Sequence, residues 1–294
     1  MLALARFIMA SRARAALVAC AGNLLPLLSP AAVALVVLRH GWREGLLVAL
    51  WAVLPLVAML YVAAMTPILV WASVLTIVVV VIATLVLRGT ASWQSALLAL
   101  VGGSAALVLI MGELLGEDVT AFGESIKAMF EQMRADGQGP SLEPDTPMVL
   151  GLLAWVMAVS TLGSLLLGRW WQALLYNPGG LGRELRGLRL SAPVALALMA
   201  GWVACQLAPT GYVAWGNLLG LPLFLNGVAL VHHLVAASPR VGAHWLAVFY
   251  VGLVLLVGPL GLLLTGVGFM DSLVDLRARF ARRSSDSGGS GNDC

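Results

Sequence analysis

Apolar residues follow one another in unusually long runs, and charged residues interrupt those runs only at wide intervals. A helix needs about 20 such residues, at about 1.5 Å each, to cross the hydrocarbon core of a bilayer, about 30 Å thick. Runs of this length are Ala15–Leu38, Gly45–Leu87, Gly89–Gly112, Thr146–Gly168, Leu190–Pro239 and Val241–Met270. Almost no strand pattern is present, so the sequence predicts an all-α, polytopic transmembrane helical bundle.

Two of these runs are each about twice as long as one crossing, and both should fold back on themselves. Thr66-Pro67 divides one and Gln206–Gly211, with Pro209, divides the other, because proline lacks a backbone donor and disfavours helix in the residue before it. Six spans are therefore predicted, at 46–65, 68–87, 92–112, 147–168, 191–207 and 213–235. The first and last runs would raise the number of spans to eight.

The first and last runs are both interrupted, by "NLLPLLSP" with its two prolines and by "GPLG" at 258–261. Interrupted membrane helices often border a cavity at mid-depth, where the freed backbone groups find partners. The alternative is that both runs are ordinary kinked spans, and that His232 makes only a structural contact. On the first interpretation, the candidate ligand-cavity residues are Asn23, Pro26, Pro30, Asn226, His232, Gly258 and Gly261.

Composition supports a membrane protein, since 61% of the residues are apolar and 11% charged, against about 45–50% and about 25% in soluble domains. The segment 1–14 is predicted as an amphipathic surface helix rather than a cleavable signal, and 15–270 as the transmembrane domain. A basic amphipathic helix at 271–283, with Asp275 and Arg279 paired at i,i+4 spacing, precedes a disordered tail at 284–294.

Charge indicates the orientation of the spans. The connection 113–145 is strongly acidic, with only Lys127 and Arg134 as basic residues, whereas the other charged connections are net basic. The positive-inside rule therefore predicts that 113–145 is an external loop and that the basic connections are cytoplasmic. If the first and last runs each crossed once, both basic termini would lie outside, contrary to the rule, so the side of the termini stays open.

The loop "LLYNPGGLGRELRGLRLS" combines a turn signal at Asn177–Gly180 with three arginines at intervals of three. Such a stripe is suited to contact with anionic lipid headgroups. Alternatively, backbone N–H groups at the helix start and one converging arginine would form a phosphate site. The candidate lipid or phosphate contacts are Gly179, Gly180, Arg183, Arg186 and Arg189.

Catalytic signatures are absent from the sequence: there is no nucleophile elbow, zinc-protease helix or Walker loop. His232 and His233 point about 100° apart on a helix, and the cysteines Cys20, Cys205 and Cys294 have no paired spacing. We therefore expect no catalytic residue, metal site, disulfide or cofactor, no nucleic-acid partner and no enzymatic activity. An enzyme acting on lipid-linked substrates is disfavoured because no span carries paired acids or histidines.

Three stretches, "FIMASRARAALVACAGNLLPLLSPAAVALVVLRHGWREG", "LLYNPGGLGRELRGLRLS" and "GFMDSLVDLRARF", resemble the YybS-like family of bacterial membrane proteins. This resemblance implies a distant similarity to S components of energy-coupling-factor vitamin transporters, six-span bundles that bind a small molecule and dock on an ATPase module. Ala15-x-x-x-Ala19 resembles the small-residue docking motif of S components. The long acidic loop and the two extra apolar segments depart from that pattern.

These expectations combine into one predicted function. The chain is expected to be a multi-pass protein of the bacterial inner (cytoplasmic) membrane and a transport-related small-molecule binder. Its expected partners are membrane lipids, an ATPase-coupling module and a small-molecule substrate. The alternative is a membrane scaffold or regulator that binds a partner protein through its basic cytoplasmic loops.

Overall fold

The computed structural model describes residues 1–25, 27–62, 66–135, 143–237 and 244–280, and all regular structure in these ranges is helical. The all-α bundle predicted from the sequence is confirmed. The helices are α1 (Leu2–Met9), α2 (Arg12–Ala21), α3 (Leu28–His40), α4 (Trp42–Val62), α5 (Pro67–Thr90), α6 (Trp93–Leu114), α7 (Gly116–Ala135), α8 (Thr146–Tyr176), α9 (Gly180–Gly187), α10 (Ala192–Leu207), α11 (Val213–Ala237), α12 (His244–Leu255) and α13 (Val257–Val274).

Six helices in the described ranges are long and apolar enough to cross a membrane: α4, α5, α6, α8, α13 and α11 with the preceding 3-10 turn Thr210–Tyr212. The chain is therefore an integral membrane protein. Five of these helices coincide with predicted spans. The sixth predicted span, 191–207, is α10, which qualifies only together with α9 as a pair bent by 76°. Its 16 residues extend only about 24 Å, less than the hydrocarbon thickness.

The helices belong to two compact units. Unit 1 comprises Met1–Leu181 and Ala204–Leu218, and unit 2 comprises Gly182–Val203 and Leu219–Cys294. In the core of unit 1, α2 packs against α3 and α4, and Ala15 and Ala19 are 3% and 0% exposed. The small-residue spacing predicted as a docking motif therefore serves packing inside the unit.

The first apolar run forms a hairpin beside α4 rather than a single helix. At the base of this hairpin, Arg12 of α2 pairs with Glu44 at the start of α4. At its tip, Asn23 Nδ2 donates to the carbonyl oxygen of Ala52, further along α4, over 2.9 Å. After the tip, α3 returns toward the start of α4. The 10 residues of α2 and the 13 of α3 extend only about 15 and 20 Å, so neither helix can cross alone.

Several arginines of unit 1 gather at the base of this hairpin. Arg88, near the end of α5, donates from Nη1 to the carbonyl oxygen of Val37 over 2.8 Å. The Arg39 guanidinium lies 4.3 Å from the ring centroid of Tyr176, the last residue of α8. The start of the chain, the end of α3 and the ends of α5 and α8 therefore share one end of unit 1.

The acidic residues of α7 lie with the opposite end of α8. The segment predicted as an external loop contains α7, whose Glu117, Glu124 and Glu131 are exposed. Lys127 Nζ lies 2.8 Å from Glu143 Oε2, and this hydrogen bond raises the pKa of Lys127 above its usual value. Because the basic N-terminal helices lie at the other end of unit 1, the conflict between the N-terminus and the positive-inside rule disappears.

The last apolar run also breaks, at Leu256 between α12 and α13. The break falls ahead of "GPLG", which places Pro259 in the first turn of α13, where its missing N–H would have had no partner in the helix. The predicted helix 271–283 begins as the end of α13, stops at Asp275 with a left-handed φ of 49°, and resumes at 276–280. Its remaining residues and the predicted tail 284–294 lie outside the described residues.

This arrangement has a testable consequence for topology. In a variant lacking native cysteines, Glu131→Cys should react with an impermeant thiol reagent in intact spheroplasts, whereas Ala10→Cys should react only after lysis. Both side chains are exposed, so a difference in labelling reports the side of the membrane. Arg183→Cys should behave like Ala10→Cys because the positive-inside rule places its basic loop in the cytoplasm. Labelling of Ala10→Cys in intact spheroplasts would contradict the hairpin.

Candidate functional site

A cavity of about 310 Å³ lies at the tip of the hairpin in unit 1, lined by the tip and by residues of α4, α5 and α8. This volume falls within the range of about 300–1,000 Å³ that is usual for small-molecule sites. Most of the lining is aliphatic. The polar lining residues are Asn23, Ser29, Ser73, Thr76 and Ser160.

The tip is built by side chains that satisfy the broken backbone. Asn23 Nδ2 lies within hydrogen-bond distance of the carbonyl oxygens of Ala19 and Cys20, at the end of α2, as well as that of Ala52. Ser29 Oγ also donates to the Ala19 carbonyl oxygen, over 2.6 Å. Helix ends leave carbonyls without intrahelical donors, and these contacts hold the break at a fixed position beside α4.

Two positions at the tip need an unusual local geometry. Leu27 has a φ of 66°, in the left-handed region, just before α3 begins. A Cβ on Gly22 would lie 3.0 Å from the backbone nitrogen of Ser29. The close approach of the two arms therefore depends on a glycine at position 22. Pro26, which suggested the break, lies outside the described residues.

The cavity lining is electrically neutral. None of the described residues that line the cavity is charged, and its polar groups are hydroxyls and one amide. Within the described ranges, no cluster of three or more His, Cys, Asp or Glu side chains is placed to hold a metal ion. Such a site can bind and orient a ligand, but it contains no acid–base pair for proton transfer.

The predicted cavity residues divide between the two units. Asn23 and Pro30 line the unit 1 cavity, whereas the described residues Asn226, His232, Gly258 and Gly261 belong to unit 2. His232 Nε2 lies 2.7 Å from Tyr250 Oη. A Cβ on Gly258 or Gly261 would meet nothing within 4 Å, so no neighbour packs closely against these two positions.

Asn226 belongs to a buried polar cluster in unit 2. Its side chain is 0% exposed, and its Nδ2 donates to the Gly268 carbonyl oxygen and to Ser272 Oγ, over 2.7 and 3.1 Å. Asp271 beside Ser272 is also 0% exposed. Its Oδ2 accepts from Arg277 Nε over 3.0 Å. This cluster holds α11 and α13 together.

The arginine part of the loop predicted to contact lipid or phosphate is tied to the same cluster. Gly179, with a φ of 77°, and the hydrogen bond from Gly180 N to Asn177 O form the predicted turn. Arg183 is exposed on α9, and the Arg186 carbonyl oxygen accepts from Arg277. Arg189 is committed to the end of α13, since its guanidinium donates to Asp275 Oδ2 over 2.9 Å and to two carbonyl oxygens of that helix.

The pair Asp271–Arg277 did not emerge from the sequence, which suggested a pair between Asp275 and Arg279. The sequence did contain a signal for this pair, because Asp271 directly follows a long apolar run and an ionisable group at that depth usually has a partner. Its partner lies beyond the break at Asp275. A periodicity that assumes one continuous helix therefore misses this pair, and Asp275 itself pairs with Arg189 rather than with Arg279.

Two further cavities border the Arg12–Glu44 ion pair at the base of the hairpin, with volumes of about 360 and 420 Å³. Their charged lining residues, Arg12 and Glu44, are already paired with each other. The tip cavity is therefore the better candidate for a ligand held within the membrane.

Comparison with family models, with curated proteins and with solved structures finds no match to the chain.

Proposed function

We propose that this chain is a transport-related small-molecule binder of a bacterial inner membrane, and that its ligand occupies the tip cavity. The observation that carries the proposal is a ligand-sized cavity at the break between two half-helices. Breaks of this kind border the binding sites of many transporters, because backbone and side-chain groups at the break face a cavity instead of lipid.

The depth of the cavity supports the proposal. Asn23 is tied to Ala52, which follows the first residue of α4, Trp42, by about 15 Å of helix rise. That is about half the thickness of the hydrocarbon core. A ligand at this depth would be held where neither face of the membrane reaches it directly.

The resemblance to S components is consistent with this proposal, and an ATPase-coupling module is the corresponding partner. Because Ala15 and Ala19 are buried in unit 1, such a module would have to dock on another surface. If this part of the proposal is correct, a pull-down of the protein from native membranes should recover an ATPase together with its transmembrane subunit.

Some basic residues have partners within this chain, which leaves fewer of them for the scaffold alternative. Arg12, Arg88 and Arg189 each bind a carboxylate or carbonyl group of this chain, and Arg39 stacks on Tyr176. Of these, only Arg12 and Arg189 pair with carboxylates, so only their charge is offset within the chain and is less able to recruit a partner.

A thermal-shift screen of vitamins, cofactor precursors and metabolites tests the binding proposal. A ligand at a hundredfold excess over its dissociation constant should stabilise the protein by about 2.7 kcal/mol. Ser73→Phe, which fills the cavity, should abolish the shift. Val159→Phe is the matched control, because Val159 is 40% exposed and does not line the cavity, and it should retain the shift. A ligand that stabilises all three proteins equally binds elsewhere and would contradict the proposal.

A further inference from the structure

The chemistry of the cavity lining restricts the class of ligand. We propose, building on the proposed function, that the tip cavity takes an uncharged molecule that carries at least one hydrogen-bond donor and that enters sideways from the bilayer. Three observations carry this inference. The described lining residues are uncharged, most of their hydroxyl groups already donate to backbone carbonyl oxygens, and two of the lining side chains are exposed.

Most of the hydroxyl protons at the cavity are already used. Ser73 Oγ donates to the Leu69 carbonyl oxygen and Thr76 Oγ1 to that of Ala72, each over 2.8 Å. Ser29 donates to a carbonyl of α2 in the same way. Each of these hydroxyls keeps lone pairs that accept hydrogen bonds. Toward a ligand, the three side chains are therefore acceptors.

The Asn23 side chain is also a hydrogen-bond acceptor toward a ligand. Its Nδ2 faces three backbone carbonyl oxygens, which fixes the amide with its donors toward the backbone. No described group donates to its Oδ1, which is left as an acceptor. Ser160 has no side-chain partner among the described residues and can either donate or accept. A ligand with donors, and with one acceptor for Ser160, would satisfy this set.

Charged ligands do not fit the lining. An ion transferred into an apolar environment without an opposite charge loses hydration that is worth far more than a few hydrogen bonds. A lipid acyl chain fits poorly for the opposite reason. It offers no donor, so the acceptors around it would be left without hydrogen bonds.

Two side chains indicate the route of entry. Leu25 at the tip and Val156 on α8 both line the cavity, and they are 60% and 47% exposed. Large apolar side chains exposed at mid-depth on a membrane protein face hydrocarbon. The cavity therefore opens toward lipid between these residues, and an uncharged molecule that partitions into the bilayer can reach it laterally.

Four naphthalene derivatives of similar size test the ligand class: naphthamide, N,N-dimethylnaphthamide, naphthoate and naphthylmethylammonium. Binding is measured by equilibrium dialysis against protein in lipid nanodiscs, with binding to empty nanodiscs subtracted. Naphthamide should bind about tenfold more tightly than the dimethyl amide, which has no donor. The two ions should show no saturable binding. Ser73→Phe should abolish naphthamide binding, and Val159→Phe should retain it.

The outcomes separate this inference from the proposed function. Tightest binding of naphthoate or of the ammonium compound, lost in Ser73→Phe, would overturn the inference and leave a binding site in place. Equal affinity for the two amides would overturn the requirement for a donor. If none of the four binds in a way that Ser73→Phe abolishes, the inference is wrong. The proposed function is also wrong only if, in addition, the thermal-shift screen finds no metabolite whose stabilising effect Ser73→Phe abolishes.

Discussion

Arg277→Ala is expected to lower the unfolding free energy by about 3–5 kcal/mol, because it leaves the buried carboxylate of Asp271 without its opposite charge. The pair is well enclosed, with side chains 10% and 0% exposed. The same guanidinium also donates to the carbonyl oxygens of Arg186 and Leu188. The substitution therefore removes one contact to Asp271 of α13 and two contacts to the end of α9 and the connector that follows it.

Arg279→Ala is the matched control, because Arg279 lies two residues away and is exposed. Its effect should stay within about 0.5 kcal/mol. Arg277→Lys should fall between the two, since an ammonium retains the charge but not the planar set of donors. The measurement is thermal unfolding in detergent together with the amount of protein in the membrane. Equal melting temperatures for Arg277→Ala and Arg279→Ala would contradict the structural role of the pair.

Gly268→Ala should be the second strongly destabilising change. A Cβ at position 268 would collide with the carbonyl oxygen of Leu223 and crowd the backbone nitrogen of Gly227 on α11. Both are backbone atoms, so no side-chain rotation relieves the clash, and α11 and α13 must separate. Overpacking of this kind costs about 1–3 kcal/mol, and separating the helices also loosens the contacts of the buried Asn226.

Gly266→Ala provides the control on the same helix, because a Cβ at position 266 would meet nothing within 4 Å. Alanine is favoured over glycine inside a helix by about 1 kcal/mol, so this variant should be as stable as the wild type or slightly more stable. The measurement is the melting temperature of each variant compared with that of the wild type. If Gly268→Ala were as stable as Gly266→Ala, the close crossing of α11 and α13 would be incorrect.

The spans could be read from the sequence because their cause is local. A long apolar run in a bilayer satisfies its backbone only as a helix, and α5 begins at Pro67, directly after the predicted turn. The path of the first run could not be read in this way. It depends on the contact of Asn23 with Ala52 and of Ser29 with Ala19, which join residues that no periodicity relates.

Only some residues of the candidate site could be predicted from the sequence. Asn23 and Pro30 stood out as a polar residue and a helix breaker within an apolar run, and both line the cavity. Ser73, Thr76 and Ser160 gave no signal, because serine and threonine occur on many membrane helices and bond their own backbone. Which of them face a cavity is decided by the packing of α5 and α8 around the hairpin tip.

Native mass spectrometry of the protein released from lipid nanodiscs tests the claim that the tip cavity holds a small molecule. The wild-type protein and Val159→Phe should each carry a bound molecule of the same mass in addition to any lipid. Ser73→Phe should lack it while keeping its lipids and melting as the ligand-free wild-type protein does. A bound molecule present equally in all three proteins, or absent from the wild type, would contradict the claim.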